Sequence, residues 1–102
     1  MRRAMIRYRV KADCAEENEK LIAAVFKELE LERPSGLRYM SLKHDDGVTF
    51  VHFVSREGDS AGNPLTELNA FKSFVAGVKK RCVEPPIAME LTLIGAYGFT
   101  EI

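Results

Sequence analysis

Residues 47–55 read GVTFVHFVS, the most apolar run of the chain, with His52 at its centre. Val, Phe and Thr dominate it, as a strand requires, and Asp45, Asp46 and Gly47 just before it are turn residues. The segment 37–44 on the other side of that turn is also strand-like. The two are therefore read as a hairpin, with strands over 37–44 and 48–56. Side chains alternate along a strand, so Val48, Phe50, His52 and Val54 share one face and Thr49, Val51, Phe53 and Ser55 the other. A three-residue loop, Asp45 to Gly47, would pair His44 with Val48, Leu42 with Phe50 and Met40 with His52. This register gathers the apolar residues on one side, together with Arg38 and His44. A two-residue turn at Asp46 and Gly47 would pair Ser41 with His52 and split that set. A one-residue slip turns every side chain over, so burial favours the first register. It places His52 in the layer that helices must cover.

Outward from the hairpin the pattern is regular. Residues 4–12 alternate, with Ile6, Tyr8 and Val10 on one face and Arg7, Arg9 and Lys11 on the other, which is a half-buried strand. Asp13, with Glu16 three residues on, has the spacing of a capping box. Leu21, Ile22, Val25, Phe26 and Leu29 then recur at helical spacing, and Arg33 to Gly36 (RPSG) stops the helix. The polar run Arg56 to Asn63 (REGDSAGN) reads as a surface loop, with a lid as the functional alternative. Asn63 and Pro64 predict an N-cap and first turn for a second helix reaching about Arg81, striped by Leu68, Phe71, Phe74, Val75 and Val78. Pro85 and Pro86 end that unit, and 87–97 reads as a last strand with Ile87, Met89, Leu91, Leu93 and Tyr97 on one face.

The order β-α-β-β-α-β predicts an α+β, ferredoxin-like domain over residues 1–102: a four-stranded antiparallel sheet with both helices on one face. The other face is open, partly apolar (Val51, Phe53, Ile94) and partly charged (Arg7, Arg9, Glu90). Such a face calls for a partner, so a homodimer packed sheet to sheet is expected.

Composition narrows the function classes. The chain has 102 residues, 46% of them hydrophobic and 29% charged, with 15 basic and 15 acidic residues and a formal net charge of zero. A nucleic-acid partner calls for a basic footprint. A membrane span calls for a run of roughly 18 apolar residues; neither is present. Two cysteines, Cys14 and Cys82, show no CxxC spacing, which fits a reducing, cytoplasmic setting. No metal-ligand spacing appears either. Met5 offers a second start site.

Three stretches are similar to the antibiotic biosynthesis monooxygenase-like family of the dimeric α+β barrel superfamily. They are Met5 to Asp13 (MIRYRVKAD) running into a helix, the apolar third strand with its polar loop, and Leu68 to Phe74 (LNAFKSF). The resemblance covers essentially residues 5–98. It implies a homodimer with a pocket between sheet and helices, and oxidation of an aromatic or quinol-like small molecule without cofactor. Relatives use a tryptophan and an asparagine in that pocket. This chain has no tryptophan, and carries Ala70 where several relatives carry histidine; both departures argue against haem degradation.

Four residues follow as site candidates. His52 titrates near neutrality and could act as the catalytic base; the alternative is a core histidine bonded to a neighbour. Tyr8 shares the helix-facing side and could line the pocket, or be a satisfied core tyrosine. Asn69, in the family-like segment, could bind a substrate oxygen or lie exposed on its helix. Arg38, on the His52 face in the chosen register, could hold an anionic group. Cys14, at a helix start, is a weaker candidate for a thiol of lowered pKa. The second functional reading is a non-catalytic, small-molecule-binding or stress-associated homodimer of the same fold.

Overall fold

Strand β1, Arg2–Val10, follows its sequence alternation: Tyr8 and Val10 are buried on one face while Arg7 is exposed on the other. After it come a single 3-10 turn at Ala12–Cys14, helix α1 at Ala15–Glu32, strands β2 at Leu37–Lys43 and β3 at Thr49–Arg56, helix α2 at Asn69–Arg81 and strand β4 at Cys82–Leu91. The computed structural model describes residues 1–57 and 63–99; the middle of the REGDSAGN segment lies outside the described residues. The sheet order is β2-β3-β1-β4, every neighbouring pair antiparallel. This is the ferredoxin-like arrangement expected from the element order.

The hairpin register is the finding that differs most from expectation. Ser41, not Met40, lies opposite His52, and Leu42 lies opposite Val51. The physical reason is the Asp46 carboxylate. It accepts the Val48 and Thr49 backbone N–H groups, each at 2.9 Å, and the Thr49 hydroxyl at 2.6 Å. The carboxylate is held well below its usual range by those bonds, the Thr49 hydroxyl first. This network fixes a four-residue loop over 45–48, with Gly47 at φ 79° where an L side chain would be strained. His52 still faces the helices, because β3 parity alone decides that. Tyr39, Ser41 and Lys43 join it, whereas Arg38, Met40 and Leu42 turn to the open face.

The helices bury Tyr8, Val10, Ile22, Val25, Phe50, Leu65, Leu68, Phe74 and Val78 against the sheet. Two helix starts differ from expectation. Asp13 caps nothing: the 3-10 turn occupies Ala12–Cys14, and α1 begins with no side-chain cap. Asn63 does cap, its Oδ1 accepting Leu65 N–H at 3.0 Å, but only a short turn. Leu68 is extended, at φ −72° and ψ 135°, and α2 starts at Asn69. Its first two N–H groups donate to Glu28 of α1, at 3.2 and 2.7 Å, so one helix caps the other. Val75, expected on the buried stripe, is exposed.

Strand β4 begins five residues earlier than the sequence suggests and contains Pro85 and Pro86. It is an edge strand, where a missing N–H costs little. From Arg7↔Ile87 to Arg9↔Glu84 it also spends three residues against two of β1, a bulge that accommodates the prolines. Glu84 pairs with Arg7 and Arg9, at 3.3 and 3.2 Å, while Glu90 pairs with Arg2. Residues 92–99 are irregular and leave the sheet; Ile94 and Tyr97 are 94% and 97% exposed. No helix among the described residues is long and apolar enough to cross a membrane.

Candidate functional site

His52 is 3% exposed, and its two ring nitrogens face opposite ways along a line of buried polar groups. Nε2 lies 2.8 Å from the Tyr8 hydroxyl. Nδ1 meets the Tyr39 hydroxyl and, at 3.0 Å, the Ser41 Oγ. Beyond Tyr8 the line continues into the helices: Asn18 Nδ2 donates to the Tyr8 oxygen at 2.9 Å, and Arg81 Nε donates to Asn18 Oδ1 at 3.1 Å. Arg81 also donates to the Phe74 carbonyl at 3.0 Å and lies over the Phe74 ring.

This line has a direction, fixed at its inner end. A guanidinium can only donate, so Asn18 must turn its oxygen to Arg81 and its NH₂ to Tyr8. The Tyr8 oxygen thus accepts from Asn18, and its own O–H goes to His52 Nε2. That nitrogen must be the bare one, so the ring proton sits on Nδ1 and points at Tyr39 and Ser41. Every hydrogen along the line points outward, from the core toward β2.

Burial sets the electrostatics. Desolvation lowers the His52 pKa to about 4, so the ring is neutral near pH 7. Desolvation raises the Tyr39 phenol to about 12, opposed by its Ser41 hydrogen bond, and raises Tyr8 further still. Rings pack around the imidazole: Tyr8, Tyr39 and Phe74 lie with centroids 5.3, 5.6 and 5.6 Å away. The line reaches open space through Ser41, which lines a cleft of about 200 Å³ with Ile22, Ala23, Leu42 and Phe50. At the rim of that cleft Lys43 pairs with Glu19 of α1 at 3.0 Å.

Of the sequence-predicted residues, Tyr8 and His52 are therefore brought together. Asn69 is not: it is exposed at the start of α2, with its backbone on Glu28. Arg38 is not, because the observed register puts it on the far side of the sheet. Cys14 is no activated thiol; desolvation and then Asp13 raise its pKa. Asn18, Tyr39, Ser41 and Arg81 are the residues that sequence reasoning missed. Asn18 carried a signal, since it stands one turn before Leu21 and Ile22 on the apolar stripe of α1. Arg81 did too, three residues after Val78 and seven after Phe74.

By sequence the chain matches no family profile and no curated protein. Solved structures are another matter. A protein described as an antibiotic biosynthesis monooxygenase from Nitrosomonas europaea superposes with a TM-score of 0.78 at 18% identity, over 93% of this chain and 100% of that one. This chain has the antibiotic biosynthesis monooxygenase-like fold. Rv0793 from Mycobacterium tuberculosis gives 0.75 at 18% identity, over 93% and 96% of the two chains. A variant of SnoaB from Streptomyces nogalater, described as a cofactor-independent oxygenase, gives 0.70 at 14%, over 95% and 96%.

Proposed function

We propose that the protein is a small cofactor-independent monooxygenase acting on a hydroxylated bicyclic aromatic molecule in the cleft beside Ser41. The observation that carries this reading is the outward-pointing line from Arg81 to Ser41, which ends in a hydroxyl at the cleft. The likeness in fold to SnoaB, described as a cofactor-independent oxygenase, supports the reaction class. The cleft volume of about 200 Å³ lies below the roughly 300–1,000 Å³ of most ligand pockets. It suits one or two fused rings better than a large polyketide.

The direction of the line revises the role of His52. With Nδ1 protonated and a pKa near 4, it is a poor base. It instead backs the Ser41 hydroxyl as donor to a substrate oxyanion in the cleft. For 1-naphthol the steps balance as follows. The substrate loses its O–H proton to solvent, and Ser41 holds the naphtholate oxygen. One electron passes to O₂, and the radical pair combines to form the C4–O bond. The peroxide anion takes up a proton. The O–O bond then breaks as the C4–H proton leaves, giving water and 1,4-naphthoquinone.

The assay is oxygen uptake with 1-naphthol, with quinone followed by absorbance. One O₂ consumed per quinone is expected, and Ser41→Ala and His52→Gln should each lower kcat at least ten-fold with a smaller change in KM. No uptake above buffer across hydroxynaphthalenes and anthrones would remove the enzyme reading. The remaining reading is then a non-catalytic small-molecule-binding homodimer, favoured by the rings packed around His52 and the occupation of both its nitrogens.

The protein works as a homodimer in this reading, packed through the open sheet face in a reducing, cytoplasmic setting. Exposed Met40, Leu42, Ile87, Met89 and Leu91 on that face support it. Light scattering at micromolar concentration should give twice the 11.5 kDa chain mass; the single-chain mass would refute it.

A further inference from the structure

Two thiols that the His52 line does not use meet where α1 and β4 begin. Cys14 and Cys82 are both free and half-buried, and both pack against the same core cluster. They are far apart in sequence, and three contacts bring them together. Cys82 is the β4 partner of Val10 on β1, which sets their Cα atoms roughly 4.5–5.5 Å apart. Val10 is buried beneath the helices, and directly opposed residues share a face, so Cys82 also faces the helix layer. Lys11 N–H then donates to the Arg81 carbonyl at 2.8 Å, and Cys14 N–H to the Lys11 carbonyl at 2.9 Å. Asn18, one helical turn after Cys14, accepts at 3.1 Å from Arg81, the residue before Cys82. The thiols thus flank one contact between α1 and the junction of α2 with β4. They also sense each other's charge: burial raises the Cys82 pKa most, Arg81 opposes it, and Cys14 raises it again.

We propose that Cys14 and Cys82 form an intramolecular disulfide by exchange with a small-molecule disulfide of the glutathione class. The step balances as follows. The Cys14 thiolate attacks one sulfur of glutathione disulfide; an S–S bond forms to Cys14, and one glutathione thiolate leaves. The Cys82 thiolate then attacks the Cys14 sulfur, and the second glutathione thiolate leaves. The two protons of the protein thiols pass through solvent to the two glutathione thiolates. The protein dithiol is oxidised, and one glutathione disulfide is reduced to two glutathiones. Cys14 reacts first because its 3-10 turn carries no buried residue.

A disulfide needs Cα atoms roughly 4.4–6.8 Å apart. The turn at Ala12–Cys14 can supply that approach, since no buried residue anchors it and no side chain caps it or α1. Cys82 is the fixed partner, held in the sheet by Val10 and next to the buried bonds of Arg81. Both thiols have raised pKa values, with burial the first cause in each. Such a thiol attacks slowly near neutrality and is a slow leaving group. The bond is therefore slow to form and resists reduction once made, which suits a lasting tie rather than a catalytic relay. It closes most of the chain into one loop and clamps the Arg81–Asn18 contact from both sides. It stands apart from the oxygenase reading, since neither cysteine lines the Ser41 cleft.

Equilibration of the whole protein in glutathione redox buffers, without air and at mildly alkaline pH, tests this. After an acid quench the intact mass should show a species lighter by two hydrogens, and a non-reducing digest should link the Cys14 and Cys82 peptides. The ratio of linked to reduced chain should be at least ten-fold higher than in the same buffer with concentrated urea, because a bond that stabilises the fold is itself favoured by the fold. The linked form should melt at least about 5 °C above the reduced form, and dithiothreitol should abolish the difference. Cys14→Ser and Cys82→Ser should each show no link and no rise. A link between two chains, read as a doubled mass on a denaturing non-reducing gel, overturns the proposal. So does a chain that stops at a glutathione adduct or keeps both thiols, or a ratio no higher than in urea. The parent chain decides all of these, however a serine variant folds.

Discussion

Asn18→Leu tests the buried line at its hinge. Asn18 is 0% exposed and bridges Arg81 Nε at 3.1 Å and the Tyr8 hydroxyl at 2.9 Å. Leucine is close in shape, so the change isolates the polar loss. The bond from the guanidinium contributes about 1.5–3 kcal/mol net, and the neutral bond to Tyr8 about 0.5–1.5 kcal/mol. The extra apolar surface of leucine returns about 1 kcal/mol. The net loss is roughly 1–3.5 kcal/mol. A domain of this size loses about 4–8 °C of Tm per kcal/mol, so the midpoint should fall by roughly 4–28 °C. Urea denaturation should show a lower midpoint with an unchanged slope. Arg81→Met alone leaves Asn18 Oδ1 buried without a donor and is also destabilising. The double variant removes both ends together, so its cost should be less than the sum by about 2 kcal/mol. A loss under about 0.5 kcal/mol for Asn18→Leu, or additivity within that margin, would refute the idea that Arg81 orients the line. In the parent protein, ¹⁵N shifts should report His52 protonated at Nδ1; protonation at Nε2 refutes the direction assigned to it.

Three further outcomes follow from other contacts. Protonating His52 favours unfolding, because its pKa is about 4 in the folded chain against about 6.5 when exposed. Stability should therefore be full above pH 6.5 and fall as pH drops toward 4, by about 3 kcal/mol; a His52→Gln variant with the same slope over that window would contradict this. Glu28→Ala removes the acceptor for the first two N–H groups of α2 and should cost about 1 kcal/mol in urea denaturation, with Glu28→Gln losing less; equal stability of Glu28→Ala and parent would dismiss the cross-helix cap. Gly47→Ala meets no atom within 4 Å but sits at φ 79°, whereas Gly95→Ala meets neither obstacle; thermal melts should show a loss of about 1 kcal/mol for the first and no change for the second.

The contrast between β3 and β2 shows how far sequence pattern reaches. GVTFVHFVS announced its own strand, and parity alone put His52 with Phe50 on the helix side. Parity within one strand needs no partner. The register of β2 needed one, and the count of apolar residues misled because it assumed that only the helix-covered face is buried. Met40 and Leu42 are apolar for the other face. The same assumption put Arg38 beside His52, when the row Arg3, Ser55 and Arg38 belongs to the open side. Asn18 and Arg81 were visible as polar residues at core spacing, but nothing local says that the two meet across 63 positions.

The sequence by itself determined the element order, the face of each strand and helix that is apolar, and hence the α+β, ferredoxin-like fold. These are local periodicities, set by side-chain direction along one element. Only the tertiary structure decided which residues face one another. The Asp46 carboxylate chose the loop length, and with it whether Ser41 or Met40 met His52. The donor-only guanidinium of Arg81 chose which nitrogen of His52 is bare. The Arg81 bond spans 63 positions and forms only once distant segments are packed; the Asp46 bonds span two and three positions, and their effect shows only in the pairing of β2 with β3.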